Sequence, residues 1–244
     1  MVLTWYTFDM NYDNVANQYE EWGKKATTDW ELGHKNVAKL LQPIQGKKIL
    51  DYGCGNGKFS TYLNKLGAKV VGIDISPAQL EVAKKSEDKN IVYLLDNDPK
   101  IETKYIDYFD AGVLIFVLCE ISSRDIMLSV LKRVFNLLKS DSQLIILNPN
   151  WDKSNGKDFL THQMQYQPEL KLGEHVTTIL KGDPPIHIPD YYWSKDFYLE
   201  MLKKAGFVNY EIYEPLAPDD DIPWKDEKEY PPFLIIKAKK STTE

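Results

Sequence analysis

Apolar residues recur at helical spacing over 14–24 (Val15, Tyr19, Trp22) and over 29–41 (Trp30, Val37, Leu40, Leu41), and Pro43 and Gly46 end the second stretch. Short apolar runs then alternate with helical ones. Strands are predicted over 48–51, 69–74, 91–95, 109–118 and 143–148, and helices over 59–66, 77–85 and 125–138. Gly67 closes the first of these helices, while Ser76 and Pro77 open the second as N-cap and first helical residue. The run over 109–118 has almost no polar residue, so it should be buried on both faces. Strand–helix alternation of this kind predicts a parallel sheet covered by helices on both sides.

Regular alternation stops at Pro149. To Tyr192 the chain is polar and aromatic, with one predicted strand over 175–180 and a turn at Gly182-Asp183-Pro184-Pro185. Ser194 then caps a helix ended by Gly206, and strands are predicted over 207–213 and 233–238. The expected organisation is one domain over 1–244, with a helical cover over 1–45, a cofactor-binding core over 46–148 and a lid-like insert over 149–193. A helix and two strands over 194–244 complete it. The insert should lie over the carboxyl edge of the sheet, where open α/β folds bind ligands.

Composition narrows the function classes. The chain has 244 residues, 43% hydrophobic and 27% charged, a globular balance that suits one large core. The longest apolar run, 111–119, is less than half of the ~20 residues a membrane span needs. No secretory signal is visible and Cys54 and Cys119 cannot build a disulfide framework, so a reducing cytoplasmic setting is expected. Net charge is −6, and Arg124 and Arg133 are the only arginines among 30 basic residues. Neither feature suits a protein that grips nucleic acid, and no membrane partner is expected.

The strongest chemical signal is Ile49-Leu50-Asp51-Tyr52-Gly53-Cys54-Gly55-Asn56-Gly57, between a predicted strand and a predicted helix. Gly53 and Gly55 allow a sharp turn and close approach of a ligand to the main chain. The helix that follows offers unpaired N–H groups to a carboxylate or phosphate. Asp74 ends the next strand about twenty residues on, where a carboxylate can accept both hydroxyls of a ribose. A dinucleotide fingerprint would need a third glycine at position 58, which is Lys58, and no Gly-Lys-Ser/Thr ending marks a P-loop. Asp51 beside the turn is unhelpful to a pyrophosphate but suits the ammonium and sulfonium charges of S-adenosylmethionine.

On these residues the chain resembles class I S-adenosylmethionine-dependent methyltransferases of the small-molecule branch, the ubiquinone/menaquinone-biosynthesis type. Residues 49–59 and 70–76 match the first two motifs of that family. Residues 109–121, 131–138 and 144–147 resemble its fourth strand and the helix and strand that follow. Residues 11–19 resemble its N-terminal cofactor cover. The likeness covers roughly 10–148, with a weaker echo over 194–238. It implies an α/β, Rossmann-like doubly wound seven-stranded sheet, mostly parallel with the last strand antiparallel, and S-adenosyl-L-methionine as cofactor. Carried over by position, Asp51, Gly53, Cys54 and Gly55 would face the methionine end, Asp74 the ribose and Ile75 the adenine. Tyr19 would cover the cofactor, and Ile115 and Phe116 would line its floor. The family often has Asp after the third strand for the adenine amine; here Asn97 aligns there, leaving the contact open among Asp96, Asn97 and Asp98.

Methyl transfer is an in-line displacement in which the cofactor carries the electrophile, so orientation is the main task and a general base is optional. Candidate bases are Glu120, past the fourth strand, and His162, His175 and His187 in the insert; Glu120 and His175 are the two selected. Tyr12, Trp151 and His175 are the candidate acceptor contacts. No residue cluster has metal-ligand spacing. The aromatic N-terminus and the insert together suggest an enclosed chamber for a small acceptor. The expected activity is therefore methylation of an oxygen or nitrogen of a small, aromatic or heteroaromatic metabolite, by a monomer or homodimer. A non-catalytic cofactor-binding module, an RNA or protein methyltransferase and, further off, an NAD-dependent oxidoreductase are the alternatives.

Overall fold

The computed structural model describes residues 22–85 and 90–242. The helix expected over 29–41 begins as a π-helical turn, Asp29–His34, and continues as α1 (Lys35–Leu40). The alternating region then runs β1 (Lys48–Tyr52), α2 (Lys58–Lys65), β2 (Lys69–Asp74), α3 (Pro77–Lys84) and β3 (Val92–Leu95). A short α4 (Lys100–Lys104) leads to β4 (Phe109–Ile115), α5 (Arg124–Leu137) and β5 (Leu138–Pro149). Ser76 caps α3 by accepting from the Gln79 amide, and Ser123 caps α5 from Ile126.

The insert holds α6 (Trp151–Ser154) and three strands, β6 (His162–Met164), β7 (His175–Leu180) and β8 (Ile186–Tyr191). The chain closes with α7 (Lys195–Ala205), β9 (Phe207–Tyr213) and β10 (Phe233–Lys240). Gly206 ends α7 at φ 102°, a left-handed cap that glycine takes without steric cost.

The main sheet has seven strands in the order β3-β2-β1-β4-β5-β10-β9. The first five are parallel, and β10 runs antiparallel to both β5 and β9. This is the expected doubly wound sheet with its last strand reversed. Strand alternation divides the core into two. Leu50, Ile73, Leu114 and Ile146 pack with Met127, Val130 and Leu131 of α5 and with Phe197 and Met201 of α7. Ile49, Val70, Val113 and Ile145 pack on the other face with Val37, Phe59 and Leu63. Each fully buried side chain of this size is worth about 1.5–3 kcal/mol. A one-residue slip of β1 would exchange the two sets, so its register is strongly specified.

The structure departs locally from expectation at three places. Strand β4 stops at Ile115 because Phe116 takes a positive φ of 55°, and the apolar residues beyond it form a buried 3₁₀ turn, Leu118–Glu120. Strand β5 begins at Leu138, directly after α5. The insert forms its own antiparallel sheet, β6-β7-β8, where only β7 was expected.

This small sheet is clamped to the rest of the chain. The fully buried Glu227 accepts from the Thr28 hydroxyl at 2.7 Å, the Leu160 amide at 2.6 Å and the Lys225 amide at 2.9 Å. Trp22 Nε1 donates to the Thr161 carbonyl at 3.2 Å. The π-helical turn, the insert and the C-terminal loop thus meet beyond the carboxyl ends of the strands. No helix among the described residues is long and apolar enough to cross a membrane.

Candidate functional site

The switch point of the sheet lies between β1 and β4, where the strand order reverses. The chain leaves β1 through Gly53, Gly55 and Gly57, at φ of 78°, 51° and 75°. A Cβ at Gly53 would collide with Val117 Cγ2, and one at Gly57 with the Tyr93 hydroxyl. A Cβ at Gly55 would meet only Gln79 Oε1, at 3.9 Å, so the space above the middle of the turn is open.

The turn's amides are largely engaged by the chain itself. Gly53 and Cys54 donate to the Ile73 carbonyl at 2.7 and 3.0 Å, and Gly57 to the Cys54 carbonyl at 3.0 Å. Gly55 donates to Asp74 Oδ2 at 2.7 Å, and Lys58 to Asn56 Oδ1 at 3.3 Å. Ser60 donates to Asp51 through both its hydroxyl, at 2.6 Å, and its amide. Asp51 therefore caps α2 in place of the N-cap Gly57, which has no side chain to do so. A turn whose N–H groups are spent in this way is a poor nest for a pyrophosphate. What it presents instead is negative charge. Burial pushes the Asp51 carboxyl up to about 6 against the opposing bonds from Ser60, and nearby Asp74 adds to the rise. Asp74 is raised too, chiefly by burial, while amide bonds from Ser76 and Gly55 act the other way. Two desolvated carboxyl groups beside an open turn fit a ligand with cationic groups and vicinal hydroxyls.

Beyond Asp74 the wall turns apolar. Ile75, Pro77, Val82, Ile115, Phe116 and Val130 all face the same cavity, which has a volume of about 750 Å³. Ile75 is 36% exposed, unusually open for an isoleucine beside a core strand. Asp96 lies in this wall and is held fast. Tyr52 Oη donates to its Oδ1 at 2.6 Å, and Arg133 Nη1 donates to the same oxygen at 2.7 Å. Arg133 also donates to the Asp96 carbonyl at 2.8 Å and to Glu102 at 2.8 Å. Asn97 is exposed and outside the wall, and Asp98 accepts from the Lys100 amide at 2.8 Å at the start of α4. Of the three alternatives past β3, Asp96 is the one in the cavity wall.

A second, smaller pocket of about 50 Å³ lies toward the insert and shares Trp22, Asp29, Phe116 and Glu120 with the first. Its remaining lining includes Cys119, His162, Thr178, Leu180, Ile188, Asp190 and Phe233. Glu120, one of the two selected bases, therefore stands at the junction of the cavities. His175 does not reach either one. Along β7, Val176, Thr178 and Leu180 are buried, and His175 is on the exposed register, with its ring 4.4 Å from that of Tyr191. His187 is exposed on β8 for the same reason. Trp151 is buried in a separate cluster with Phe159, Met164, Val176 and Tyr192 and lines neither cavity. Tyr12 and Tyr19 lie outside the described residues. His162, one of the unselected candidates, is the insert histidine in the inner pocket.

Two further residues here escaped the sequence reading. Asp29 opens the π-helical turn, and burial pushes its carboxyl up to about 7 although the charge of Lys58 opposes this. Asp190 is likewise pushed up to about 7 by burial, against hydrogen bonds from Thr178, at 2.9 Å, and the Cys119 thiol. Asp190 follows Ile186 and Ile188 on the buried register of β8, where a carboxylate calls for a partner, but that register shows only once β8 is known to be a strand. Asp29 carried no comparable signal, since an acidic residue in a first helical turn is ordinary.

Comparison with known proteins agrees with this geometry. A family model described as a methyltransferase domain matches residues 23–212. The demethylmenaquinone methyltransferase of Tropheryma whipplei is 28% identical over 182 residues, 71% of each chain. The mitochondrial ubiquinone biosynthesis O-methyltransferase of Schizosaccharomyces pombe is 58% identical over 91 residues, 31% of this chain and 33% of that one. Among solved structures, a Listeria monocytogenes protein assigned as an S-adenosylmethionine-dependent methyltransferase is 26% identical. It superposes with a TM-score of 0.63 over 90% of this chain and 100% of its own.

Proposed function

This chain belongs to the methyltransferase domain family and uses S-adenosylmethionine, and from that premise we propose that it methylates an oxygen or nitrogen of a small, aromatic or heteroaromatic metabolite. The observation that carries the reading is the pair of joined cavities. The outer one has the glycine turn and both strand-end carboxylates in its wall; the inner one, reached past Asp29 and Glu120, is small and roofed by the insert. A chamber of that size suits a compact acceptor better than a polymer.

When bound, S-adenosylmethionine supplies a methyl group on a positively charged sulfur, open to in-line attack. The chain's residues hold and shield the reactants. Asp51 would hold an ammonium group at the glycine turn, and Asp74, which already accepts from the Gly55 and Ser76 amides, would hold the ribose. Ile75 would pack on the adenine face, Asp96, held by Tyr52 and Arg133, would meet its edge, and Ile115 and Phe116 would form the floor. Residues 149–193 act as a lid that excludes water, fixed through Glu227 and Trp22. Orientation of this kind can supply about 7–11 kcal/mol of barrier lowering without a dedicated base. Glu120 is the candidate residue to take a proton from an acceptor that must lose one.

Incubation with methyl-labelled cofactor and a fractionated metabolite extract, in parallel with total RNA and with protein, tests the reading. Label is expected in a low-molecular-mass fraction; label confined to RNA or protein would contradict a small acceptor.

A further inference from the structure

The inner pocket has an unusual charge inventory. Asp29, Glu120 and Asp190 line it, no lysine or arginine does so among the described residues, and its one histidine is His162. Asp29 Oδ1 and His162 Nδ1 are both buried without a hydrogen-bond partner, 3.6 Å apart. Their residues are 8% and 3% exposed. Asp190, in the same lining, receives the neutral Thr178 hydroxyl and Cys119 thiol. The rest of the lining, Trp22, Phe116, Leu180, Ile188 and Phe233, is apolar. A buried carboxylate oxygen without a donor is costly, and it persists where a ligand supplies the missing donor.

We propose that this pocket selects an acceptor bearing a basic nitrogen on an apolar body, with Asp29 receiving the nitrogen beside His162. The proposal rests on the methyltransferase reading above and decides between its two acceptor atoms. An oxygen acceptor must become more negative as its proton leaves, and a phenolate beside Asp29 and Asp190 is repelled by their carboxyl groups; the charge of Lys58 reaches Asp29 from the outer cavity, but burial outweighs it. A nitrogen acceptor goes the other way, because a neutral amine that gains a methyl group becomes a cation. An ammonium that enters the pocket first gives one N–H proton to the Asp29 carboxylate, which breaks an N–H bond, forms an O–H bond and frees the nitrogen lone pair. Burial has already lifted Asp29 and Asp190 to about 7, which narrows the gap to an amine. His162 is pushed down to about 3 by burial and nearby Lys181, so it stays neutral and adds no competing charge.

The test uses the full chain saturated with S-adenosylhomocysteine and titrated calorimetrically with three ligands on one aromatic body: 2-phenylethylamine, 2-phenylethanol and 3-phenylpropionate. The amine is expected to bind at least tenfold more tightly than the alcohol, and the carboxylate not measurably. In Asp29→Asn, again saturated with S-adenosylhomocysteine, the amine preference over the alcohol should fall at least tenfold. Asp190→Asn, which keeps an acceptor for Thr178, should weaken the amine about threefold. A carboxylate or alcohol that binds as well as the amine, an amine preference that survives both substitutions, or no amine binding to the loaded protein would each overturn the proposal. Failure of S-adenosylhomocysteine itself to bind would show before any amine is added, and would refute the cofactor site and this proposal together.

Discussion

Replacing Asp51 by Asn should make the empty protein more stable and its cofactor affinity weaker. Asp51 is 2% exposed and its carboxyl is raised from 3.8 to about 6, mainly by burial. A rise of about two units corresponds to roughly 3 kcal/mol by which the fold disfavours the ionised form. The sign follows from linkage. Below pH ~4 the group is neutral in both folded and unfolded chains, and the stability it confers is fully present. That stability is lost as pH rises to about 6 and is absent above. Asparagine keeps an oxygen for the Ser60 hydroxyl and carries no charge at any pH. The variant should therefore gain about 3 kcal/mol at pH 7.5 but only about 1 kcal/mol at pH 4.5. For a chain of this length the larger gain raises the melting temperature by about 6–12 °C. Thermal unfolding of both proteins at the two pH values measures the difference, and calorimetric titration with S-adenosylhomocysteine measures the functional cost. Loss of one charged contact to an ammonium, ~1.5–3 kcal/mol, weakens binding about 10- to 150-fold. A variant less stable than the parent at pH 7.5 would mean that its bonds to Ser60, not its desolvated charge, dominate at this position. Equal affinity would mean that Asp51 does not meet the ligand.

The same site yields three further expectations. Asp74→Ala should weaken S-adenosylhomocysteine binding at least tenfold by calorimetry, on the scale of ~1.5–3 kcal/mol per charged hydrogen bond; unchanged affinity would place the ribose elsewhere. Gly53→Ala adds a methyl group that collides with Val117 at a φ of 78°, so urea unfolding should show a loss of about 2–4 kcal/mol, and a midpoint equal to the parent's would contradict the tight turn. Arg133→Met leaves Asp96 with only the Tyr52 hydroxyl. It should cost about 2 kcal/mol, less than the ~3–5 of a fully buried pair because the two side chains are 15% and 18% exposed. Denaturant titration would reveal a neutral change if the pair were ornamental.

What the sequence made legible follows from range. The glycine turn, the Ser76–Pro77 helix start and the span of β2 depend on residues a few positions apart, so they could be read directly. The end of β4 could not, because Val117, Leu118 and Cys119 are as apolar as a strand and only the backbone reversal at Phe116 sends them into a turn. Two insert strands were hidden as well. β6 has three residues, too few to show alternation, and β8 contains Pro189, which reads as a strand breaker. Pro189 is tolerated because β8 is an edge strand of its sheet. The cofactor half of the candidate site was accessible for the same local reason. The acceptor half was not, since Asp29, His162 and Asp190 are 28 or more positions apart from one another and meet only through the docking of the insert. His175 looked equivalent to His162 in sequence; the registers of β6 and β7 separate them.

A crystal structure of the full chain with S-adenosylhomocysteine bears most directly on the whole account. Density is expected over the open turn at Gly55, with both ribose hydroxyls on Asp74 and the sulfur facing Asp29 and the inner pocket. A ligand whose sulfur points away from that pocket, or one seated outside the crevice between β1 and β4, would contradict it.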